Sequence, residues 1–259
     1  MEIDLTKPSP ARIVDYYLGG HHNFEIDRFL GDRAAEMFPG DVIELTRKTR
    51  QCLQRAVTYM AKEKGLIHFL DFGSGLPTCG NTHEVGLATN PRANVIYSDI
   101  DHLTVAYGKE IVAGEPSVRY AWCDAADPST LLDSPEAKEL LGEDRSVGII
   151  FMNLAHFLDD VTVVSGARRL YEWAAPGSHL FLAVESETWK TDPYLQEISK
   201  LVHRAGIPLY QRTEEEWLAL FDPWRLTEHG VARNSQWGLP EEEKDPEERL
   251  TGYSMVLYK

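Results

Sequence analysis

The sequence has 259 residues, of which 43% are hydrophobic and 26% are charged, as in an ordinary globular protein. This length suits one large α/β domain or one domain with an appendage. Lys and Arg number 26 against 41 Asp and Glu, so the formal net charge is −15, which argues against a nucleic-acid backbone or an anionic membrane as the main partner.

The first 65 residues are predicted to form a helical extension. Their start, MEIDLTKPSP, lacks the basic and then apolar pattern of a secretory signal, and no apolar run approaches the ~18–20 residues of a membrane helix. With three cysteines and no C-x-x-C or Cys/His cluster, the chain is expected to be cytoplasmic, with reduced thiols and without a metal site. Apolar residues at helical spacing predict helices over 11–18, 24–38 and 42–64.

From residue 66 onward, short apolar runs alternate with helical patterns, which is typical of βα units. Five strands are predicted, over 66–72, 94–98, 117–122, 147–152 and 178–184. Helices are predicted between them, over 80–90, 102–113, 128–141 and 159–175. Because such crossovers are right-handed, this order predicts a mainly parallel sheet with helices on both faces, in one domain over 66–259.

The C-terminal tail is predicted to close the sheet. Thr213 and Glu216 have the spacing of a capping box that opens a helix over 217–221. The runs WRLTEHGVA (224–232) and GYSMVLYK (252–259) read as two strands with no helix between them. Two successive strands after a βα series predict an antiparallel hairpin.

The stretch FLDFGSGLPTCGNTHE (69–84) is the first candidate site, since ligands of open parallel sheets lie beyond the carboxyl ends of the strands. Gly73 and Gly75 allow a sharp turn and present no Cβ to a ligand. The stretch contains neither the P-loop pattern nor G-x-G-x-x-G, because Pro77 and Thr78 follow the turn. A turn that approaches a ligand closely, without phosphate-binding residues, favours a nucleoside that carries an amino acid, such as S-adenosylmethionine.

Three acids lie at the ends of three successive predicted strands: Asp71, Asp99 and Asp124. Asp99 is placed to accept hydrogen bonds from both hydroxyls of a ribose. Asp124 is placed to accept one from the exocyclic amine of adenine. A dinucleotide would also use Asp99, so a nicotinamide cofactor stays open at this point, as do helix caps and turns for all three acids.

Four longer segments carry a family resemblance: ARIVDYYLGGHHNFEIDR (11–28), FLDFGSGLPTCGNTHEV (69–85), YSDIDHLTVAYGKEIV (97–112) and CDAADP (123–128). They resemble a family of S-adenosylmethionine-dependent methyltransferases long called domain of unknown function 574. The resemblance implies an α/β, three-layer, Rossmann-like class I methyltransferase fold. Its sheet would have seven mostly parallel strands with a C-terminal antiparallel hairpin, and residues 1–65 would form an N-terminal helical lid.

The resemblance also implies a set of residues for S-adenosylmethionine. Gly73, Ser74 and Gly75 would lie under its methionine part, with Asp71 near the amino end, and Asp99 would hold the ribose. Further contacts are expected beside the ribose and adenine, in the second family motif and in the lid, from Ile100, Asp124, Ala125, Thr78, Asn81, Arg12, Tyr16 and Asn23. For Arg12, pairing with the cofactor carboxylate and pairing with an acid such as Asp15 are both open.

The acceptor side is predicted after the fourth and fifth strands. His156 is the candidate general base because histidine ionises near neutral pH, and a core-edge histidine is the alternative. Asn153 is expected near the reacting centre, since strand four ends MNLAHF where relatives are more apolar. The residues expected near the acceptor are Phe157, Trp189, His21 and His22. The last two stand where the family usually has Lys-Asp, so the acceptor is the least determined part.

The leading prediction is methyl transfer from S-adenosylmethionine to a small-molecule acceptor, with neither nucleic acid nor a membrane as partner and with a homodimer left open. One alternative is an enzyme that cleaves or cyclises the aminobutyrate arm and releases methylthioadenosine. Another is a non-catalytic cofactor-binding protein. Methyl transfer from a sulfonium is an in-line displacement, so alignment and exclusion of water are the main tasks of the protein and no metal is required.

Overall fold

The computed structural model describes residues 7–77 and 80–259. The helices of this part are α1 (Pro10–Tyr17), α2 (Glu25–Met37), α3 (Val42–Lys62), α4 (Thr82–Thr89), α5 (His102–Ile111), α6 (Ser129–Leu132), α7 (Pro135–Leu141), α8 (Asp160–Trp173), α9 (Pro193–Arg204) and α10 (Glu214–Leu220). The strands are β1 (His68–Phe72), β2 (Asn94–Asp99), β3 (Val118–Trp122), β4 (Val147–Met152), β5 (His179–Glu185), β6 (Arg225–Arg233) and β7 (Gly252–Tyr258). None of these helices combines the length and the apolar character that a membrane span requires.

The strands form one seven-stranded sheet in the order β3-β2-β1-β4-β5-β7-β6. The first five strands are parallel neighbours, and β7 runs antiparallel to both β5 and β6. The strand order reverses between β1 and β4, where a ligand crevice is expected in an open sheet of this kind. The predicted mostly parallel sheet and its C-terminal antiparallel hairpin are confirmed.

Helices cover both faces of the sheet because successive side chains of each buried strand point to opposite sides. On the face of α3, Phe69, Ile150 and Phe181 belong to one apolar cluster. On the face of α8 and α10, alternate residues such as Leu70 and Leu182 belong to a second cluster. Both faces are therefore closed by packing, and the carboxyl edge of the sheet is left for a site.

Two local differences from the sequence expectation have clear causes. The helix predicted over 128–141 is two helices, α6 and α7, because Ser134 caps the second one through the Ala137 amide and Pro135 occupies its first turn. Helix α9 was not predicted, although Asp192 followed by Pro193 is a start signal, and the Asp192 side chain caps that helix.

The N-terminal segment lies over the carboxyl edge of the sheet. The Cβ of Ala11 in α1 is 3.4 Å from the point that a Cβ on Gly75 would occupy. The Arg12 Nη1 atom lies 3.6 Å from Asp101 Oδ2, just after β2. Helix α2 packs on α9 through a small apolar cluster. The segment therefore covers the edge at which the sequence predicted a site.

Candidate cofactor and acceptor site

The turn after β1 is held in a tight, Cβ-free conformation. Gly73 and Gly75 have φ values of 58° and 61°, a region that favours glycine. A Cβ at Gly73 would lie only 2.5 Å from Leu154 Cδ1. The Ser74 hydroxyl donates to Tyr120 Oη at 2.9 Å, and that phenol donates to the Gly75 carbonyl at 2.7 Å. The turn is thus fixed by Tyr120 on one side, and Leu154 and Ala11 pack against its two glycines.

Asp99, the last residue of β2, is joined to this turn. Its carboxylate is 7% exposed and accepts a hydrogen bond from the Gly75 amide at 3.1 Å and one from the Asp101 amide at 2.9 Å. Burial raises the pKa of this carboxyl, and the two amides oppose the rise. Each oxygen accepts one of these bonds and retains a lone pair, so the group can still receive two ribose hydroxyls.

Asp71 lies beneath the same turn and is 4% exposed. Its Oδ2 atom accepts a hydrogen bond of 2.6 Å from the Thr82 hydroxyl at the start of α4. Burial is the main cause that raises the pKa of Asp71, to about 7. Asn81 is buried as the N-cap of α4 and forms a capping box with Glu84. Thr78, which the sequence also placed at the cofactor, lies outside the described residues.

The ends of β2 and β3 present an apolar and aromatic surface. Ile100 is 58% exposed and follows Asp99 directly. Trp122, which the sequence patterns did not single out, is 37% exposed, donates from Nε1 to the Ile100 carbonyl and stacks on His102 at 5.5 Å. Such a surface suits the flat face of a nucleobase.

After β3, Ala125 is 7% exposed, and the Asp124 carboxylate caps its own turn through the Ala126 amide at 2.9 Å. That hydrogen bond is the turn role left open by the sequence. The second Asp124 oxygen receives no hydrogen bond from the described residues, so the predicted contact with an exocyclic amine stays a prediction.

Arg12 has a different partner from the one suggested by the sequence. It is 4% exposed, and its Nε donates to Asp27 Oδ2 at 2.7 Å while Nη2 donates to the Lys7 carbonyl at 2.6 Å. Pairing with Asp15 was therefore wrong: Asp15 Oδ2 instead accepts from the His22 amide at 2.9 Å. These bonds fold α1, the following loop and α2 into one unit above the sheet edge.

Other predicted residues of this segment serve its internal structure. The Tyr16 hydroxyl donates to Asp32 Oδ1 at 2.8 Å, and the Asn23 amide donates to Asp15 Oδ2 at 2.9 Å. His21 is exposed. The ring of His22 lies 5.0 Å from Tyr107 of α5, and its buried Nδ1 atom has no partner among the described residues. Of these four residues, which were all predicted to contact ligands, His22 is the one whose ring contacts α5.

Comparison with known proteins decides the family. The model of the S-adenosyl methyltransferase family matches residues 1–257. The chain belongs to this family. A Rossmann-like sheet with a glycine turn after β1 and an acid at the end of β2 is the arrangement found here, and S-adenosylmethionine is the cofactor of this methyltransferase.

Two solved structures are similar over nearly the whole chain. A candidate methyltransferase from Thermobifida fusca YX has 34% identity and a TM-score of 0.90, covering 99% of this chain and 96% of that one. A DUF574 family protein from Streptomyces avermitilis MA-4680 has 29% identity and a TM-score of 0.90, with full coverage of both chains. Human N-acetylserotonin methyltransferase, solved with S-adenosylmethionine, has 14% identity and a TM-score of 0.51 over 87% of this chain and 58% of that one, which concerns the fold alone. A search of curated proteins gave no match.

The residues present fit this cofactor. The turn presents two glycines without a Cβ, of which Gly73 is in contact with Leu154, and Asp99 retains acceptor capacity beside the turn. The exposed Ile100 and Trp122 provide the apolar surface for adenine. Because the chain belongs to an S-adenosyl methyltransferase family, no nicotinamide cofactor is assigned to this site.

The structure revises the base role predicted for His156. The ring is 3% exposed, burial and the nearby Arg212 charge lower its pKa to about 3, and Nδ1 has no partner among the described residues. A buried imidazole with so low a pKa is a weak base near neutrality. His156 is a core-edge histidine, as in the alternative reading. Its ring lies 4.4 Å from Phe157.

Asn153 follows β4 directly, and its predicted place near the reacting centre stays a prediction. It is exposed at the end of β4, with a φ of 53°, and its amide donates to the Ala183 carbonyl of β5 at 2.9 Å. Trp189, which was also expected near the acceptor, is buried instead. It is 9% exposed, packs with Leu195 and donates from Nε1 to the Thr251 carbonyl at 2.8 Å, so its indole serves packing.

Glu185 is the acceptor-side residue that the sequence patterns did not single out. It is the last residue of β5, an acid that closes the apolar run HLFLAVE. The rule that selected Asp71 and Asp99, an acid at the carboxyl end of a predicted strand, applies equally to this position. Burial raises the pKa of Glu185 to about 8.

The buried state of Asp71 predicts a pH-dependent stability for the methyltransferase. Its folded pKa of about 7 lies above the ordinary value near ~4, so the folded state holds the proton more tightly. The stabilising contribution is present below that ordinary value and is lost as the pH rises through 7. Asp71→Asn has no proton to lose at this position. The free energy of unfolding of this variant, relative to that of the wild type, should therefore rise by on the order of 2 kcal/mol from pH 5 to pH 8.

Urea unfolding of the cofactor-free protein at the two pH values measures this difference. Asp133→Asn, at an exposed acid after α6, is the control and should follow the wild type. A gap between Asp71→Asn and the wild type that does not change with pH would show that Asp71 is ionised in the folded protein at both pH values.

Proposed function

We propose that this methyltransferase acts on a small-molecule acceptor bound at the carboxyl edge of β1, β4 and β5. The observation that carries the proposal is the hydrogen bond between the Asp99 carboxylate and the Gly75 amide. It joins the acid proposed for the sugar to the glycine turn proposed for the methionine part. The N-terminal segment lies against that turn, which favours a compact acceptor over a polymer, and the net charge of −15 disfavours nucleic acid.

When bound, S-adenosylmethionine supplies a methyl group already activated by its sulfonium. The chain then has to bind, orient and exclude water. We assign the cofactor to the turn Gly73 to Gly75 and to Asp71, Asp99 and Ile100, with Ala125 and Asp124 beside the adenine. Asn153 and Phe157, at the end of β4, face the acceptor.

We further propose that α1, α2 and the loop between them act as a lid on this site. Helix α3, the last part of the extension predicted over 1–65, packs in the core against the sheet and is not part of the lid. Support comes from the buried ion pair between Arg12 and Asp27, which joins α1 to α2 at 2.7 Å, and from the contact between Arg12 and Asp101 beyond β2 at 3.6 Å. A segment held together internally but resting on the site can move as a unit, which is how lids exclude water during a reaction.

Incubation with methyl-labelled S-adenosylmethionine tests the function. With small-molecule extracts, the expected product is adenosylhomocysteine together with a labelled organic compound. Without an extract, neither product should form. Methylthioadenosine released without an acceptor would identify a lyase or cyclase instead. Tight calorimetric binding without turnover on any extract would identify a non-catalytic cofactor-binding protein.

A further inference from the structure

The Glu185 side chain stands beyond the end of β4, on the acceptor side of the sheet. In the parallel register, Ala183 of β5 is opposite Met152, the last residue of β4. Glu185 lies two residues further along, after the point where β4 has ended. From β2 to β5 there are three strand spacings, or about 14 Å. Glu185 is therefore separated from Asp99 by roughly the width of a bound nucleoside.

Glu185 also points to the same face of the sheet as the cofactor acids. Residues in register on neighbouring strands share a face, and Asp71, Ile150 and Phe181 are in register across β1, β4 and β5. By the two-residue period of a strand, Glu185 lies on the face of Phe181. The carboxyl edge of the sheet thus carries acids on one face at β2 and β5, with the glycine turn after β1 between them.

The surroundings of Glu185 keep its carboxyl in a poorly hydrated but reachable place. The residue is partly exposed, and burial is the main cause that raises its pKa to about 8. Its backbone carbonyl accepts from Trp217 Nε1 at 2.8 Å, which fixes the end of β5. A carboxyl of this kind is matched to removing protons near neutral pH.

The charged groups near the end of β5 are already engaged. Glu187 accepts a hydrogen bond of 2.8 Å from the Tyr253 hydroxyl. Arg212, which is bridged to Ser186, donates from Nη2 to Asp160 at 2.6 Å. His156 is buried and has a pKa of about 3. Among these described neighbours, Glu185 is the carboxyl whose pKa burial raises toward neutrality.

Two aromatic residues, Phe157 and Tyr210, lie in the loops that adjoin the ends of β4 and β5. Phe157 is partly buried beside His156. The Tyr210 backbone amide donates to the His156 carbonyl at 2.7 Å. The Tyr210 side chain is 39% exposed, and the Arg212 guanidinium lies over its ring at 5.3 Å. Aromatic residues in the loops that adjoin the end of β5 suit a flat aromatic acceptor that bears an ionisable hydroxyl.

We propose that Glu185 is the general base of this methyltransferase and that the acceptor is a phenolic hydroxyl, an inference that rests on the function proposed above. The hydroxyl proton passes to a Glu185 carboxylate oxygen. The acceptor oxygen bonds to the methyl carbon, and the electron pair of the broken carbon–sulfur bond stays on sulfur. A cationic donor, a carboxylate and a phenol thus become adenosylhomocysteine, a carboxylic acid and a methyl ether, with atoms and charge in balance.

The test uses two phenols of different acidity and methyl-labelled S-adenosylmethionine at pH 8. The probe 4-methylphenol ionises near ~10, as tyrosine does, and needs a base, whereas 4-nitrophenol is mostly ionised in the assay and does not. Glu185→Gln should lower kcat at least about 100-fold on 4-methylphenol and less than about 10-fold on 4-nitrophenol. Its affinity for S-adenosylmethionine should be unchanged in calorimetry. Glu185→Asp, a second variant, should keep part of the kcat.

Glu187→Gln is the matched control, two residues away, and should keep the wild-type rates on both phenols. Equal losses on the two phenols would make Glu185 structural, and wild-type rates in Glu185→Gln would remove it from the reaction. A wild-type enzyme that binds S-adenosylmethionine but methylates neither phenol would overturn the acceptor class. Failure of the wild type to bind S-adenosylmethionine would count instead against the proposed function.

Discussion

Gly73→Val should fold and lose measurable binding of S-adenosylmethionine. The φ of 58° at this residue belongs to a region in which a side chain costs about 1–2 kcal/mol, so the melting temperature should fall by a few degrees. The larger effect is steric. The Cβ alone would lie 2.5 Å from Leu154, and the two valine methyl groups would fill the surface above the turn.

Isothermal calorimetry with S-adenosylmethionine measures the loss, and circular dichroism confirms the fold. Gly177→Val is the matched control: Gly177 has a φ of 90° with nothing within 4 Å of a Cβ, and it precedes β5 at the opposite edge of the sheet. It should suffer comparable backbone strain and bind normally. Full binding by Gly73→Val would remove the glycine turn from the cofactor site.

Asp99→Ala should weaken binding of S-adenosylmethionine by about 3 kcal/mol, or about 150-fold in Kd, since charge-assisted hydrogen bonds contribute about 1.5–3 kcal/mol each. The variant loses the acceptor for the ribose hydroxyls. It also leaves the Gly75 and Asp101 amides without the partners that they have in the native protein. The glycine turn should therefore loosen, and part of the loss should come from a less ordered site.

Asp99→Asn separates these two contributions. The amide oxygen can still accept one backbone hydrogen bond, while the charge is lost, so its Kd should lie between those of the wild type and Asp99→Ala. Asp144→Ala, at the amino edge of the sheet where Asp144 lies 3.7 Å from His68, should bind normally. An Asp99→Ala protein with wild-type Kd in calorimetry would falsify the ribose role.

The cofactor half of the site could be predicted because it is local in the chain. The glycine turn, Asp71 and Asp99 lie at the ends of strands that the apolar pattern marks, and parallel strands bring their carboxyl ends to one edge. The residues that surround this turn could not be predicted from the sequence. Leu154 above Gly73 and Trp122 beside Ile100 come from segments tens of residues away, and no local pattern links them to the turn.

The acceptor half shows where residue type misleads. His156 was chosen because free histidine ionises near neutrality, but burial and Arg212 lower its pKa to about 3. Trp189 was placed at an acceptor wall by its position after strand five, whereas contacts with α9 and the Thr251 carbonyl bury it. In both cases the environment of the side chain, which the sequence does not contain, decided its chemistry.

The sequence by itself determined the seven strands in chain order, the parallel sheet with its antiparallel end, the glycine turn after β1 and the acid after β2, but not helix α9. These follow from apolar periodicity, glycine and strand ends, which are properties of neighbours in the chain. Tertiary structure alone decided which acids are buried, that Arg12 pairs with Asp27, and that Glu185 stands across the crevice from Asp99. Burial and long-range pairing set pKa values and side-chain partners, and they arise only when distant segments pack together.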